Sequence, residues 1–256
     1  MRIISHRGNG FNHLENSYPA FINAIKNGFS IEIDIHLSKD KVPFVIHEVD
    51  VELILSGKGK IHESDSKEIR KYHYKKNPKL KLVKLEEVLK LYRQINILQG
   101  KIFIHIKNIN EPEVIAICIS LVKKYKLEKT CFLFAVDGME IPLIKLARKL
   151  DANIKVGLYL PENSNNFTEK KFEIADFIWA DEINTGWFSR EMVQLAHKLK
   201  KEIYAISPEL IPESRLASSY QQRWIDIKKM GFDGICTDHP NELLQKQLKD
   251  KGNYCR

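Results

Sequence analysis

The sequence lacks any segment long and apolar enough to cross a membrane as a helix, and 29% of its 256 residues are charged. Residues 1–8 also lack the apolar region of a secretory signal. Unless a signal has been removed from this chain, we expect a cytoplasmic protein without stable membrane insertion. Cysteine is scarce, and its four positions form no Cys-x-x-Cys pair. That spacing predicts neither a disulfide framework nor a zinc ribbon.

No glycine-rich phosphate loop occurs among the 12 glycines, and no Gly-x-Gly-x-x-Gly turn is present. This absence argues against an open sheet of the dinucleotide-binding type. No linker, internal repeat or low-complexity segment divides the chain either. The length suits one large domain, so we predict a single domain over residues 1–256.

Positive charge is in excess, with a net charge of +8 that favours anionic ligands. Most of the excess is dispersed lysine, which is typical of a solvated surface. The densest basic stretch is 71–84 (KYHYKKNPKLKLVK), which could follow a nucleic-acid backbone or an anionic membrane. No recognised nucleic-acid module surrounds it, so we interpret it as a solvated loop and expect no nucleic-acid partner.

The most informative stretch is residues 30–48, where three ionisable residues alternate with three isoleucines over 31–36 (IEIDIH). Successive side chains of a strand point to opposite faces, so Glu32, Asp34 and His36 share one face. Most strands of a long α/β chain are covered by helices, and charges inside them need partners, a metal or a chemical task. A turn at Asp40 and an apolar run over 42–46 predict a hairpin that returns His47 to the carboxylates.

Strands and helices alternate along the rest of the chain. The predicted strands are 2–5, 31–36, 101–107, 131–136, 154–160, 177–181, 202–206 and 233–237. Helices are predicted from the cap Ser17 to Gly28 and over 85–92, 112–125, 139–150, 168–174, 189–200, 221–230 and 240–250. Residues 49–81 are interpreted as an irregular polar insertion or lid. The pattern predicts an α/β fold, a (β/α)8 TIM barrel with a hairpin and small insertion after the second strand. A doubly wound open sheet is the alternative.

Catalytic groups of such a barrel lie at the carboxyl ends of its strands. Carboxylates there can hold a hard divalent cation, arginine and lysine can bind phosphate oxygens, and histidines can act as base and acid near neutral pH. The pattern therefore predicts a metal–phosphate site for a phosphodiester. The polar residues at the predicted strand ends and hairpin are His6, Arg7, Glu32, Asp34, His47, His105, Lys107, Asp137, Asp181, Glu182 and Asp238.

These motifs resemble the glycerophosphodiester phosphodiesterase family. The resemblance is specific over residues 6–47, in the order His6-Arg7-Gly8, Glu15-Asn16, Glu32-x-Asp34, Lys39-Asp40 and His47. A weaker match continues through 85–89, 106–107 and 231–240. The resemblance implies a (β/α)8 barrel, one calcium or magnesium ion, and hydrolysis of small phosphodiesters that bear a glycerol-like alcohol.

The same resemblance implies roles for individual residues. His6 and His47 become the acid–base pair, and Lys107 stabilises the pentacoordinate phosphorus. Arg7 and Lys107 contact phosphate, Glu32 and Asp34 bind the metal, and Glu15 and Asn16 complete the substrate-binding set by supporting the groups around them. In related barrels a substrate hydroxyl attacks phosphorus and gives a cyclic phosphate. A phosphodiester lyase that releases a cyclic phosphate therefore stays open beside the hydrolase.

The sequence departs from the family pattern at three places. His105 stands where the family has a third metal-binding carboxylate, and a nitrogen ligand suits transition metals better. Either His105 binds the metal, or the metal binds more weakly, or Asp137 or water completes its ligands. Ile206-Ser207 replace Trp-Thr and Ala135-Val136 replace Ser-Phe, changes that affect the choice of substrate more than the chemistry. A non-catalytic phosphodiester-binding barrel is a further alternative, although it would have little need for two acid–base histidines.

Three further expectations concern residues outside the proposed chemistry. We expect Asp238 to be a buried carboxylate that fixes the end of the barrel rather than a catalyst. His36 is expected to support its neighbours, and the three tryptophans, Trp179, Trp187 and Trp224, are expected in the core. The oligomeric state does not follow from the sequence.

Overall fold

Eight parallel strands close into a barrel in the computed structural model of the chain. The structure describes residues 1–10, 13–95, 100–107, 113–136, 138–161, 167–182, 185–211 and 213–252. Two sequence predictions, the helix start at Pro112 and the candidate ligand Asp137, lie outside these residues. Around the barrel the strands follow the order Arg2–His6, Gly234–Thr237, Glu202–Ile206, Phe177–Ala180, Lys155–Leu160, Cys131–Phe134, Ile102–Ile106 and Ser30–Leu37, and the last of these pairs with the first. This closure confirms the predicted (β/α)8 barrel, and the alternative of an open doubly wound sheet is wrong.

The elements have the following bounds. The strands are β1 Arg2–His6, β2 Ser30–Leu37, β3 Pro43–Val45, β4 Val83–Lys84, β5 Ile102–Ile106, β6 Cys131–Phe134, β7 Lys155–Leu160, β8 Phe177–Ala180, β9 Glu202–Ile206 and β10 Gly234–Thr237. The helices are α1 Tyr18–Lys26, α2 Ser66–Ile69, α3 Leu85–Ile95, α4 Glu113–Lys124, α5 Glu140–Leu150, α6 Glu169–Glu173, α7 Arg190–Lys198, α8 Tyr220–Met230 and α9 Pro240–Gly252.

The two faces of β2 are both buried, but against different surroundings. Ile31, Ile33 and Ile35 are fully buried in the large apolar cluster that joins the strands to the surrounding helices. The register pairs Glu32 with Phe103 of β5, so both side chains lie on the inner face of the barrel. In the alternating pattern of 31–36, the isoleucines therefore face the surrounding helices and the ionisable residues face the barrel interior.

Aromatic rings fill the barrel below the carboxylates. Phe103 is fully buried, with ring centroids of Phe132, Phe177, Trp179 and Tyr204 at 5.4, 5.7, 5.0 and 4.9 Å. Offset and edge-to-face contacts of this kind add to the burial of apolar area. The barrel interior is thus a packed floor, and the polar groups above it lie at the carboxyl ends of the strands.

The predicted hairpin is present, because β2 pairs antiparallel with β3. The insertion behind it differs from the polar loop that we expected. Its apolar side chains pack with those of the hairpin in a separate buried cluster of Phe44, Ile46, Val51, Leu55, Ile61, Ile69, Tyr74 and Leu82. The short strand β4 pairs with β3 and closes this unit, and it lies within the basic stretch interpreted as a solvated loop. The insertion is thus a small packed unit joined to the barrel.

Local signals at α1 act as the sequence predicts. The hydroxyl of Ser17 accepts the backbone N–H of Ala20 at 3.4 Å, and Gly28 takes a left-handed φ of +76° after the helix end. Cys118, Cys131 and Cys236 are buried free thiols. Across the described parts of the chain, no helix has the length and apolar character needed to span a bilayer.

Candidate active site

A cavity of about 200 Å³ opens at the carboxyl ends of the barrel strands. Seven of the nine predicted site residues line it: His6, Arg7, Glu32, Asp34, His47, His105 and Lys107. The facing wall is mostly apolar, formed by Phe134, Val136, Tyr159, Trp179, Ile206, Leu210 and Ile211. Trp179 thus belongs to the wall as well as to the core in which the sequence placed it. The cavity has one charged side and one apolar side.

Two carboxylates and one imidazole converge on the charged side. Asp34 and His105 are register partners on the adjacent strands β2 and β5. His105 Nδ1 lies 3.0 Å from Asp34 Oδ1 and 3.9 Å from Glu32 Oε1. One potential ligand atom from each of the three residues lies within 4.8 Å of the others. This spacing brings three donors around a single point.

Burial acts on the three groups in different ways. Burial and repulsion by Asp34 raise the pKa of Glu32 to about 7. Burial also opposes ionisation of Asp34, but the hydrogen bond from His105 and the charge of Lys107 hold its pKa well below the usual range. Burial lowers the pKa of His105, whose ring stacks on Phe134 with centroids 4.7 Å apart. Burial therefore favours the neutral imidazole, which can offer a lone pair.

The cluster fits a divalent cation. Glu32 Oε2 and His105 Nε2 are buried, and neither has a hydrogen-bond partner within the described part of the chain. Buried polar atoms of native proteins are usually satisfied, so such atoms beside a carboxylate pair indicate a missing positive partner. Two carboxylates and one imidazole form a donor set that metal ions commonly use.

Two fixed positive groups flank the carboxylates. Arg7 Nε lies 3.2 Å from Asp34 Oδ2, and its Nη1 donates to both oxygens of Glu15 at 3.0 and 3.2 Å. Burial works to lower the pKa of Arg7, but the charges of Asp34 and Glu15 raise it. Lys107 Nζ lies 3.4 Å from Asp34 Oδ1. The carboxylate of Asp34 thus orients both cations toward the cavity.

Glu15 and Asn16 lie outside this cavity, behind Arg7. Asn16 is 2% exposed, and its backbone N–H donates to the carbonyl of Arg7 at 2.8 Å. Both Arg7 and Asn16 have left-handed φ values, of +52° and +53°. The pair therefore fixes the position of Arg7, and neither residue is among the described residues that line the cavity.

Each of the two proposed acid–base histidines donates one ring nitrogen to a carboxylate. His6 Nδ1 donates to Asp238 Oδ1 at 2.9 Å, and His47 Nδ1 donates to Glu48 Oε1 at 2.8 Å. Burial works to lower the pKa of His6, but the bond to Asp238 and the charge of Glu32 raise it. In both residues Nε2 is left as the nitrogen for proton exchange.

The loop that carries His47 is fixed from below by His36. His36 is 6% exposed on β2, and its Nε2 donates to the carbonyl of His47 at 3.2 Å. Burial lowers the pKa of His36 to about 4, so the ring is neutral. Its position within the strand agrees with the expected supporting role.

Sequence reasoning missed three supporting contacts. Asp238, predicted as a buried carboxylate that fixes the barrel end, is half-buried; it holds His6 and also accepts the Asn9 side-chain amide at 2.7 Å. Glu48 directly follows His47, so its proximity was available as a signal. Asn9 follows the His6-Arg7-Gly8 motif by one residue, but nothing local connects it with Asp238.

The remaining acidic residues of the strand ends have other partners. Asp181 lines the cavity and accepts the hydroxyl of Tyr159 at 2.8 Å. Glu182 is fully buried and accepts Nη2 of Arg223 at 2.8 Å, with Nε of the same guanidinium on its other oxygen. We therefore assign Glu182 to holding the barrel rather than to the cavity.

A larger cavity of about 820 Å³ lies at the opposite face, around Arg2, Lys101 and Glu202. Chemistry in barrels of this type occurs at the carboxyl-terminal face, and this cavity is at the other end. Within the described ranges, the Glu32–Asp34–His105 cluster is the one group spaced to hold a metal ion. The smaller cavity is therefore the candidate active site.

At the carboxyl ends of the barrel strands, two positive side chains and three potential metal ligands lie beside two histidines that are bonded to carboxylates. This arrangement suits phosphoryl transfer. The model of the glycerophosphoryl diester phosphodiesterase family matches residues 6–242. The chain therefore belongs to that family, which its motifs resemble, and it is a phosphoric diester hydrolase by class.

Individual relatives agree with this assignment. A glycerophosphodiester phosphodiesterase of Caldanaerobacter subterraneus subsp. tengcongensis is 24% identical over 255 residues, which cover 94% of this chain and 96% of the relative. A phosphodiesterase of Oleispira antarctica, solved with its product sn-glycerol-3-phosphate, has a TM-score of 0.76 at 17% identity and covers 96% of each chain. A glycerophosphoryl diester phosphodiesterase of Parabacteroides distasonis gives a TM-score of 0.74 at 19% identity, covering 95% of this chain and 85% of that one. At such identities the solved structures show a shared fold.

Proposed function

We propose that the protein hydrolyses a small glycerophosphodiester with one bound divalent metal ion and acid–base catalysis by His6 and His47. The observation that carries the proposal is the convergence of Glu32, Asp34 and His105 in the same cavity as these two histidines. The Oleispira relative holds sn-glycerol-3-phosphate as a product, which supports a substrate with a glycerol phosphate unit.

Glu32, Asp34 and His105 would hold the metal. When bound, such an ion polarises a phosphoryl oxygen and offsets the negative charge that develops in the transition state. Magnesium or calcium is what the family implies, whereas the imidazole ligand favours a transition metal such as manganese or zinc. Burial favours the neutral form of the His105 ring, and stacking on Phe134 fixes its orientation.

His6 and His47 would move the protons at Nε2. One removes a proton from the attacking hydroxyl, and the other donates a proton to the oxygen of the leaving alcohol. Asp238 and Glu48 hold the two rings through Nδ1, which keeps Nε2 available. Neither ring needs to turn during the reaction, because its second nitrogen is already occupied.

Arg7 and Lys107 would bind the phosphate oxygens. The guanidinium of Arg7 offers a planar fork, and Lys107 adds a point charge that stabilises the pentacoordinate phosphorus. Glu15 and Asn16 contribute to substrate binding through Arg7, since one accepts its guanidinium and the other bonds its backbone. Preorganised positive groups of this kind lower the barrier without rearrangement.

The test replaces each histidine by glutamine and follows the cleavage of glycerophosphocholine in the presence of manganese or magnesium. We expect His6→Gln and His47→Gln each to lose roughly 10²- to 10⁴-fold in kcat, the usual contribution of a positioned acid or base. His62→Gln, in the insertion and outside the cavity, is the matched control. Circular dichroism shows whether each variant folds. Full activity in both cavity variants would refute the assignment.

The chemical identity of the product shows which nucleophile attacks phosphorus. Water gives a phosphate monoester, whereas attack by the neighbouring glycerol hydroxyl gives a cyclic phosphate and makes the enzyme a lyase. Binding without turnover under any metal would favour the non-catalytic barrel. The single domain over 1–256 and the cytoplasmic location stay predictions.

A further inference from the structure

A second cavity of about 470 Å³ lies beside the active site, between the loop after β1 and the insertion. Its lining includes Asn9, Glu15, Tyr74, Lys75 and Lys76. Glu15 binds Arg7, which lines the catalytic cavity, and Asn9 donates to Asp238, the partner of His6. The Arg7–Glu15 pair therefore links the linings of the two cavities.

The second cavity has an excess of positive charge. Lys75 and Lys76 are both exposed. The Nζ of Lys75 donates to the backbone carbonyl of Glu52, and neither lysine forms an ion pair with an acidic residue in the described part of the chain. The lining carboxylate of Glu15 is already bound through both oxygens to Arg7. The surrounding stretch 71–84 contains six lysines and no acidic residue. The electrostatic potential in the second cavity therefore favours the binding of an anion.

The backbone that carries these lysines is fixed rather than loosely attached. The Tyr74 hydroxyl donates to the carbonyl of Asn16 at 2.9 Å, which ties the insertion to the loop of Arg7. The backbone N–H of Lys75 donates to the carbonyl of Ile54 at 2.9 Å, and that of Asn77 donates to Tyr74 at 3.1 Å. The lysine positions are thus defined relative to the catalytic cavity.

We propose that this second cavity binds a second phosphate of the substrate, beyond the phosphodiester that is cleaved. The inference rests on the proposed function, because it assigns the substrate class of the same site. A second phosphate is the ligand that two lysines without a carboxylate partner attract, whereas a neutral or cationic alcohol gains nothing from them. No bond forms or breaks in this cavity, so its contribution is to binding and orientation.

The experiment compares two substrates that differ by one group. One is bis(glycerol) phosphate, and the other is the same diester with a terminal phosphate monoester. We expect a higher kcat/KM for the phosphorylated compound, with a preference that weakens as salt is added. In Lys76→Gln the ratio of the two kcat/KM values falls by about two- to fivefold, which is the scale of one exposed charge pair.

Lys79→Gln is the matched control, since Lys79 is exposed in the same basic stretch but lines neither cavity. An unchanged ratio in the control with a reduced ratio in Lys76→Gln supports the proposal. Equal reductions in both variants would mean a general charge effect and overturn it. Equal kcat/KM values for the two substrates in the native protein would also overturn it.

A failure of the proposed hydrolase function can be distinguished from a failure of this inference. If neither compound is cleaved, calorimetric titration of both compounds still tests the second cavity. Tighter binding of the phosphorylated compound, weakened in Lys76→Gln, supports the inference while the hydrolase proposal fails. Equal affinities overturn it. A glycerol phosphate oligomer serves as a third probe, and a further rise in kcat/KM with length would identify the source of the second phosphate as a polymer rather than a terminal monoester.

Discussion

His6 at the end of the first barrel strand donates its Nδ1–H to Asp238, which follows the last strand, over 2.9 Å. The two residues are 232 positions apart in the chain. They meet because β1 pairs with β10 when the barrel closes. One carboxylate thus fixes the tautomer and the orientation of the proposed acid–base histidine.

Replacing this carboxylate by an amide tests its positioning role. We expect Asp238→Asn to lower kcat by roughly tenfold to a hundredfold and to change KM little, because the amide can donate to His6 and favour the other tautomer. Steady-state kinetics on glycerophosphocholine separates the two constants. Asp65→Asn, at an exposed position in the insertion, is the control. An unchanged kcat in Asp238→Asn would leave Asp238 with the purely structural role that the sequence suggested.

Metal affinity tests the ligand role of His105. We expect His105→Ala to weaken manganese binding by at least about tenfold, since even residues that only support metal ligands contribute that much. His105→Glu restores the carboxylate that the family pattern has at this position, so the preference should move toward magnesium. Isothermal titration of each ion measures both effects without turnover. Native manganese affinity in His105→Ala would show that His105 is a core histidine bonded to Asp34.

The aromatic floor of the barrel predicts a large loss of stability at one position. Phe103 is fully buried among four aromatic rings, so Phe103→Ala should lower the free energy of unfolding by about 3–5 kcal/mol. Leu53→Ala, at a side chain 62% exposed, should change it by less than about 0.5 kcal/mol. Urea denaturation provides both values. Similar midpoints for the two variants would contradict the packed interior.

Asp40 in the hairpin turn is expected to make a pH-dependent contribution to the free energy of unfolding. Burial opposes its ionisation, but together the hydrogen bonds from Ser38 and Ser66 lower its pKa to about 2, from the ordinary 3.8. Because the pKa of Asp40 is lower in the folded state, its ionised form stabilises the fold at pH values above the pKa of the unfolded chain, 3.8. This stabilisation is lost as the pH falls from 3.8 toward 2. The residue is exposed, so we expect Asp40→Asn to cost only about 1 kcal/mol at pH 7.

Urea denaturation of native protein and Asp40→Asn at pH 7 and pH 3 measures that contribution. The difference in unfolding free energy should shrink at the lower pH. A difference that stays constant or grows would mean that the charge of Asp40 does not act through these hydrogen bonds.

The alternation over 31–36 was sufficient to predict much of the site. In a covered barrel strand both faces are buried, so ionisable residues on one face must lie in the interior near its mouth. This reasoning placed Glu32 and Asp34 in the barrel interior, whereas His105 was added to them by its position at the end of another strand and by the resemblance to the family. It could not assign Asp238 to His6, because their contact depends on closure of the whole barrel and leaves no local pattern.

In the insertion, by contrast, the sequence pattern was not sufficient to predict the structure. Val51, Leu55, Ile61 and Ile69 recur without a helical or strand period, so periodicity alone indicated a polar loop. Packing against Phe44 of the hairpin makes them a buried cluster. Tertiary contacts of this kind override local pattern, and the same insertion supplies the lysines of the second cavity.

Phosphorus NMR of the metal-stripped protein tests the central claim most directly. Glycerophosphocholine is added with magnesium, calcium, manganese or zinc supplied one at a time. We predict conversion to a phosphate monoester, fastest with the ion that the His105 site binds best, and no conversion without metal. Undiminished conversion in the stripped protein, or no conversion of any glycerophosphodiester with any of the four ions, would contradict a metal-dependent phosphodiesterase.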